Sequence, residues 1–576
     1  PVIRWVLHHK AVTILVAIVL VMTLLPFRSA VVEKLPEGPV RTFAEKMDVF
    51  FPLDKIGGEF MPPLYEGDLL YMPSALPGIS ITKARELLQQ TDKIIKTFPE
   101  VERVFGKIGR AETATDPAPL SMIETTIMLK PEEEWREVEV KRFFSDWPDF
   151  IRRPLAKIWP EKRRITPKEL VDEMNKAIQL PGITNAWTMP IKTRIDMLAT
   201  GIKTPVGIKI MGDNLDTLSA LGEKIEAVVR QIPGTLSVYS ERVVGGYYLD
   251  YEIDRRAAAR YGLTVGDVQD VIQSAVGGMN VTETVEGLER YPVNIRYGRE
   301  LRDSISDLER VLITTPTGAQ IPIAQVAKIS VRQGPPVIKS ENSRMSAWIY
   351  VDLAGIDVAT YVKNAREVIA REVDLPPGYN IVWSGQYEYM ERANKRLAVV
   401  VPITLLIIFL LLYFNFRNVG ESIIVMFSLP FAILGGIWFI YFLGYNMSIA
   451  VGVGFIALAG VAAEIGVLVL IYIDHAYEER RLAGRMNTKE DLYEAFIEGT
   501  SERVRPIMMT VTAIIAGLLP LFWGEGAGAD TMRRIAAPMI GGMVSSTILT
   551  LIVIPAIYAA VKGFGLRGGK KEEHDA

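Results

Sequence analysis

The sequence predicts a membrane protein: an α-helical transmembrane bundle of six spans carrying a large extramembrane domain of α+β type. Three observations lead there. One apolar run stands near the start of the chain, five more stand near its end, and several hundred residues of ordinary folded composition lie between them. Apolar residues make up 49% of the chain and charged residues 23%, a mixture of lipid-facing and globular material.

The first run, 11–27, has about the length a helix needs to cross a hydrocarbon core. The others lie at 397–414, 423–443, 447–473, 507–523 and 535–560. Region 28–396 is far too large for a loop between two spans. Arg4 and Lys10 precede the first span, Arg480, Arg481, Arg485, Lys489, Arg503 and Arg505 lie between the fourth and fifth, and Lys562, Arg567, Lys570 and Lys571 follow the last. Alternation through six spans puts these groups on one side, which the excess of positive charge makes cytoplasmic. The large domain is then outside, in the periplasm of a Gram-negative cell, with Arg533 and Arg534 as a local exception. The first run is too long for a cleaved signal, and the start at Pro1 reads as a truncation.

Composition removes several function classes. A net charge of −3 with no basic stripe gives no nucleic-acid partner. Cysteine is absent, which excludes disulfides and thiolate ligands, and the four histidines (His8, His9, His475, His574) all lie outside 28–396. No Gly-rich phosphate loop points to ATP.

Within the large region, strand-like alternation at 68–74, 101–108 and 123–130 is interleaved with helical spacing at 82–98 and 167–179. A strand at 205–211, a helix at 215–231, a strand at 247–253, a helix at 265–275, strands at 291–297 and 346–351 and a helix at 358–373 follow. This order predicts α+β sandwiches of split βαβ type. Segment 28–51 reads as a polar connector. Segment 135–166 is rich in aromatic and basic residues, among them Trp135, Phe143, Phe144, Trp147, Phe150 and Trp159. Two readings fit it, an element on the membrane surface or a packed surface excursion.

Two residue types carry candidate chemistry. Glu464 lies deep in the fourth span, where a carboxylate costs roughly 2.5–3.5 kcal/mol. Helical spacing puts it on one face with Ala457 and Gly460, and the small residues predict that this face turns into the bundle. It reads as a proton relay, with an interhelical clamp as the bland alternative. Methionine is the other type. Met61, Met128, Met174 and Met211 read as core filler, whereas Met72, Met122 and Met197 sit in more distinctive settings. Thioethers are soft ligands that favour Cu(I), and by the same softness Ag(I). Spacing alone does not bring the three together.

Several segments carry a family resemblance: Ile56-Gly-Gly-Glu-Phe-Met-Pro, Glu66-Gly-Asp-Leu-Leu-Tyr-Met-Pro-Ser, Gly109-Arg-Ala-Glu-Thr-Ala-Thr-Asp, Arg194-Ile-Asp-Met-Leu, Thr284-Val-Glu-Gly, Gly454-Phe-Ile-Ala-Leu-Ala-Gly-Val-Ala-Ala-Glu, Arg503-Val-Arg-Pro and Ala536-Ala-Pro-Met-Ile-Gly-Gly-Met. Through them the chain resembles the C-terminal half of a heavy-metal efflux transporter of the resistance-nodulation-division (RND) family, in its copper/silver (CusA-type) branch.

The resemblance implies proton-driven efflux of Cu(I)/Ag(I), with protons as the coupling ion and no resident cofactor. It implies a homotrimer in the bacterial inner membrane, a periplasmic adaptor, an outer-membrane channel and an N-terminal half of the same pump. By the same resemblance Met72, Met122 and Met197 hold the metal, with Glu124, Arg194 and Lys203 beside them. Glu464 is the relay carboxylate and Met532 a relay methionine. The implied layout is a first transmembrane helix with a short cytoplasmic N-terminus (1–27), a connector (28–57), a porter subdomain (58–203), a second porter subdomain (204–242 with 338–395), a docking subdomain (243–337), a five-helix bundle (396–561) and a cytoplasmic tail (562–576). The chain departs from the family at Ile507, where copper/silver members carry lysine, and in the length of segments 28–51 and 135–166. A Zn(II)/Co(II)/Cd(II) exporter of the same family and a non-translocating scaffold or sensor half are the alternatives.

Overall fold

A computed structural model describes residues 2–568 except 63, 76–77, 111–117, 143, 149–151, 153–155, 157–160, 487 and 525. The 111–116 part of one motif, the aromatic residues Phe143, Phe150 and Trp159, and the tail beyond 568 therefore lie outside the described residues.

Alternating apolar residues build the first extramembrane sheet. Val101–Ile108, Ile123–Leu129, Leu69–Tyr71 and Trp187–Thr188 lie side by side in that order, antiparallel at every step. Helices Ile81–Lys96 and Pro167–Ala177 bury Ile95, Leu170 and Met174 against Leu69, Tyr71 and Ile127. Both helices start where the sequence supplies a cap: Ser80 accepts from the Lys83 N–H, and Thr166 with Glu169 forms a capping box. Trp135 is buried in the same core and donates from Nε1 to the Lys130 carbonyl at 2.8 Å. Glu137–Glu139 pairs with Lys162–Arg164. The described part of 135–166 is thus a packed excursion of the domain.

The second sheet joins distant parts of the chain. Thr235–Ser240, Arg344–Leu353, Val206–Gly212 and Asn380–Gly385 are ordered side by side, with Lys339–Glu341 beside the long strand. Val206–Gly212 is buried along its whole length. Ile208 and Ile210 face helices Leu215–Val229 and Val358–Glu372, while the alternate residue Lys209 pairs with Glu341 at 2.8 Å. Residues 246–334 interrupt this sheet and form their own unit around Leu263, Val268, Ile313 and Ile323. From it projects a hairpin, Met279–Glu286 with Glu289–Ile295, whose residues are all exposed.

Five helices among the described residues are long and apolar enough to cross a membrane: Gln386–Phe416, Val419–Leu443, Ile449–Leu482, Lys489–Phe522 and Ala529–Gly563. The expected first span is different. Val2–His8 and Lys10–Met22 meet at a bend of 97°, so a sixth crossing exists only if the bent pair counts as one. The 13-residue piece reaches about 20 Å, short of a hydrocarbon core of about 30 Å. His9 at the bend has a non-helical backbone, and its ring stacks on Trp5 while bonding the Trp5 carbonyl.

Domain and bundle meet at a tight joint. The Gly57 carbonyl accepts from the Met447 N–H at 2.7 Å, and the Glu59 N–H donates to the Met447 carbonyl at 2.9 Å. On the other side the Gly58 N–H donates to Asp357 at 3.0 Å, and Asp357 also caps helix Val358–Glu372. The Glu59 carboxylate accepts from Asn446 at 2.9 Å and from Arg534. A Cβ at Gly57 would stand 2.7 Å from the Asp357 carboxyl carbon and 2.8 Å from Asn446, and one at Gly58 would stand 2.9 Å from the Ala359 Cβ. Gly57→Ala should therefore lower the thermal stability of the full chain in detergent by about 1–3 kcal/mol. An unchanged melting curve would contradict this account of the joint.

Candidate metal-capture site

Met72, Met122 and Met197 come from three separate segments and meet in one cluster with Leu70 and Ala118. Met72 is 1% exposed and Met122 9%, with Met197 half-buried against them.

Each methionine is held by backbone. Met72 follows strand Leu69–Tyr71, and its N–H donates to the Ala186 carbonyl at 2.8 Å. Met122 lies just before strand Ile123–Leu129 and bridges to Ser74, with its own carbonyl accepting from the Gly109 N–H at 3.2 Å. Met197 sits on helix Pro190–Thr200, whose start is fixed by Glu66. That carboxylate accepts from the Ile191 N–H at 2.7 Å and the Lys192 N–H at 2.8 Å, a charged cap on two otherwise orphan donors. The helix ends at Gly201 in the left-handed conformation (φ 77°), where a Cβ would stand 2.3 Å from the Trp348 ring of the second sheet.

Lys203 ties this cluster to the second sheet. Its buried ammonium donates to the Met72 carbonyl at 3.1 Å and to the Ser74 hydroxyl at 2.6 Å. It lines a narrow cleft with Asn185, Ser237, Tyr239 and Tyr350. Burial pushes the Lys203 ammonium down to about 8, with Glu241 and Glu124 pulling the other way. Glu124 pairs with Lys107 across the first sheet at 3.0 Å. Arg194 is exposed one turn before Met197 on the same helix.

The membrane residues are not part of this cluster. Met532 lies in the first turn of helix Ala529–Gly568 and is largely exposed. Glu464 departs from expectation: the face it shares with Ala457 and Gly460 is exposed in this chain, and a Cβ at Gly460 would meet nothing within 4 Å. The reason is which side of the helix its neighbours took. Leu458, Ala462, Ile465 and Val469 pack into the bundle core and leave the opposite side outward.

Three features of the structure have weak or no local signal in the sequence. Helix Pro190–Thr200 was marked by proline at its start and glycine just past its end. Glu66 as its cap had no local signal, because it lies 125 residues away. A buried network at the end of the bundle far from the domain was also unsignalled. In it Tyr558 donates toward Asp474 and Glu421, and Lys562 stands 3.4 Å from Asp474 and 3.6 Å from Glu421.

Residues 40–145 and 154–562 match the AcrB/AcrD/AcrF family. The chain is 50% identical over 515 residues to a cation efflux system protein, SilA, of Salmonella typhimurium, covering 89% of this chain and 47% of that one. It is 49% identical over 514 residues to the cation efflux system protein CusA of Escherichia coli strain K12, with the same coverage of 89% and 47%. A crystal structure of a heavy metal efflux pump superposes with a TM-score of 0.75 at 27% identity, covering 96% of this chain and 52% of that one. The chain spans about half the length of the curated relatives it matches.

Two outcomes follow from the geometry. Glu66→Ala should destabilise helix Pro190–Thr200 by about 1 kcal/mol, seen as faster amide hydrogen exchange in that helix. For Lys203 the folded protein gives up its proton near 8, the unfolded chain only near 10.5. Stability should rise with pH across that window, because the unfolded chain binds the extra proton. Denaturant melts at a series of pH values should lose this rise in Lys203→Gln.

Proposed function

The chain belongs to the AcrB/AcrD/AcrF family, as a CusA-type heavy-metal RND transporter, and on that premise we propose that it forms half of a proton-driven exporter of Cu(I)/Ag(I). The observation that carries this reading is the meeting of Met72, Met122 and Met197 in one cluster, fed by three segments far apart in sequence. Three thioethers bind a soft monovalent cation without a thiolate, and they offer little to a harder divalent ion. Met72 and Met122 lie within the cluster and Met197 at its edge, so Met197 is the ligand a cation meets first. Lys203 holds Met72 through its backbone, while Glu124 and Arg194 set the charge around the entrance.

Glu464 is the proton carrier in this proposal. An outward carboxylate in the span Ile449–Leu482 is costly in lipid, and the small residues Ala457 and Gly460 beside it suit close approach of another helix. The other half of the pump supplies that helix, and Met532 stands on the metal's path near the outer end of the last span. The first sheet and the second, which combines strands from 206–240 and 339–385, are the two porter subdomains. The unit 246–334 is the docking subdomain, and its exposed hairpin Met279–Ile295 is suited to engage a neighbouring protomer of a homotrimer. The extramembrane domain faces the periplasm from the inner membrane and meets an adaptor and an outer-membrane channel.

Met122→Leu keeps the volume but removes the sulfur, so folding should survive while Ag(I) affinity falls by more than about tenfold, or about 1.4 kcal/mol. Competitive titration of the purified chain with Ag(I) and Zn(II) checks this, and preferential Zn(II) binding that ignores Met122 would refute the site. Glu464→Gln in the full pump should abolish metal tolerance in cells while Ag(I) binding in vitro stays unchanged. Normal tolerance would exclude Glu464 as the carrier.

A further inference from the structure

Segment 28–51 is not the plain polar connector its composition suggests. Its two ends are pinned together at the outer end of the bundle. Ser29 donates from its backbone N–H to Asp54 at 3.1 Å and from its hydroxyl at 3.2 Å, and the rings of Phe27 and Phe51 stack at 4.2 Å. Asp48, buried, receives Lys55 at 3.5 Å and Arg28 at 3.9 Å. Close by, Trp438 of the second long helix donates to Thr23 at 3.2 Å, so the closed loop stands level with the ends of the spans.

From this base the loop projects helix Pro39–Met47. Val40, Phe43 and Met47 recur at helical spacing on one face and are exposed, and Val49 and Phe50 beyond the helix are exposed as well. Arg41 and Glu45 pair with each other at 3.1 Å away from that face. Large apolar side chains left in the open beside a membrane bundle need a cover. The helix Lys10–Met22 precedes this loop in the chain and exposes Leu15, Val16, Ile18 and Val19 as well.

We propose that residues 40–50 form a membrane-surface element, with Val40, Phe43, Met47, Val49 and Phe50 inserted at the boundary between headgroups and acyl chains. An amphipathic helix with this division of faces lies in that zone. Segment 28–51 carries Arg28, Lys34, Arg41 and Lys46 against Glu33, Glu37, Glu45 and Asp48, so apolar contact drives the insertion and anionic lipid is not required. The element holds the outer end of the bent first helix in place, where the helix itself is too short to be fixed by spanning.

The chain contains no cysteine, so single cysteines give unique labelling sites. Nitroxide labels on Val40→Cys, Phe43→Cys and Met47→Cys, with Thr42→Cys and Glu45→Cys as the opposite face, should be read in the full chain reconstituted in phosphatidylcholine vesicles. The apolar-face labels should be relaxed by dissolved oxygen and shielded from a water-soluble nickel chelate, with the reverse at 42 and 45. Equal access of the chelate to both faces would overturn the proposal. So would immobile apolar-face labels reached by neither relaxant, which would mean that protein covers the face. These positions lie outside the methionine cluster, so failure here is distinct from failure of the methionine site on which the proposed function rests.

Discussion

At Gly57 and Gly58 the backbone runs between a helix of the second sheet and the start of a membrane helix with no room for a side chain on either. Backbone hydrogen bonds to Met447 on one side and to Asp357 on the other turn that close approach into a rigid splice. Glu59 then adds charge-assisted bonds to Asn446 and Arg534, the latter on the last long helix. Because Met447 leads into Ile449–Leu482, the helix that bears Glu464, that helix is tied directly to the base of the extramembrane domain. Packed joints of this kind change arrangement in steps and do not stretch.

The methionine cluster depends on the same economy of backbone contacts. Two of its members sit at strand ends, where the chain turns out of the ladder, and the third rides on a short helix held at both ends by residues from elsewhere. Glu66 fixes the start of that helix and Trp348 of the second sheet crowds its end. Lys203 links the Met72 backbone to the cleft between the sheets. Thioethers are soft ligands without formal charge, so in the proposed site no thiolate would hold the cation electrostatically.

Much of the extramembrane structure could be read from pattern. Strands at 101–108 and 123–129 and the helices at 81–96, 215–229 and 358–372 fall within a few residues of their expected limits. The five long helices hold the expected apolar runs, but three of them, Gln386–Phe416, Ile449–Leu482 and Lys489–Phe522, extend well beyond those runs at one end. What escaped was short or relational. Trp187–Thr188 is a two-residue strand with no period to detect, and helix Pro190–Thr200 has a weakly segregated surface, although its proline and glycine marked both ends. The first span, expected over 11–27, is helical only to Met22, and the bend at His9 separates it from Val2–His8, a geometry that an apolar count does not register.

The sequence by itself determined the class of molecule, the six apolar runs, the α+β character of the large domain and the exclusion of thiolate chemistry, because composition and periodicity carry these directly. Tertiary structure alone decided that three methionines 125 residues apart at their extremes share one cluster, that 206–240 and 339–385 build one sheet, and that Glu464 faces outward. The physical reason is the same in each case. Side-chain direction and long-range pairing depend on which faces neighbouring elements bury, and that is settled by packing between segments that no local pattern connects.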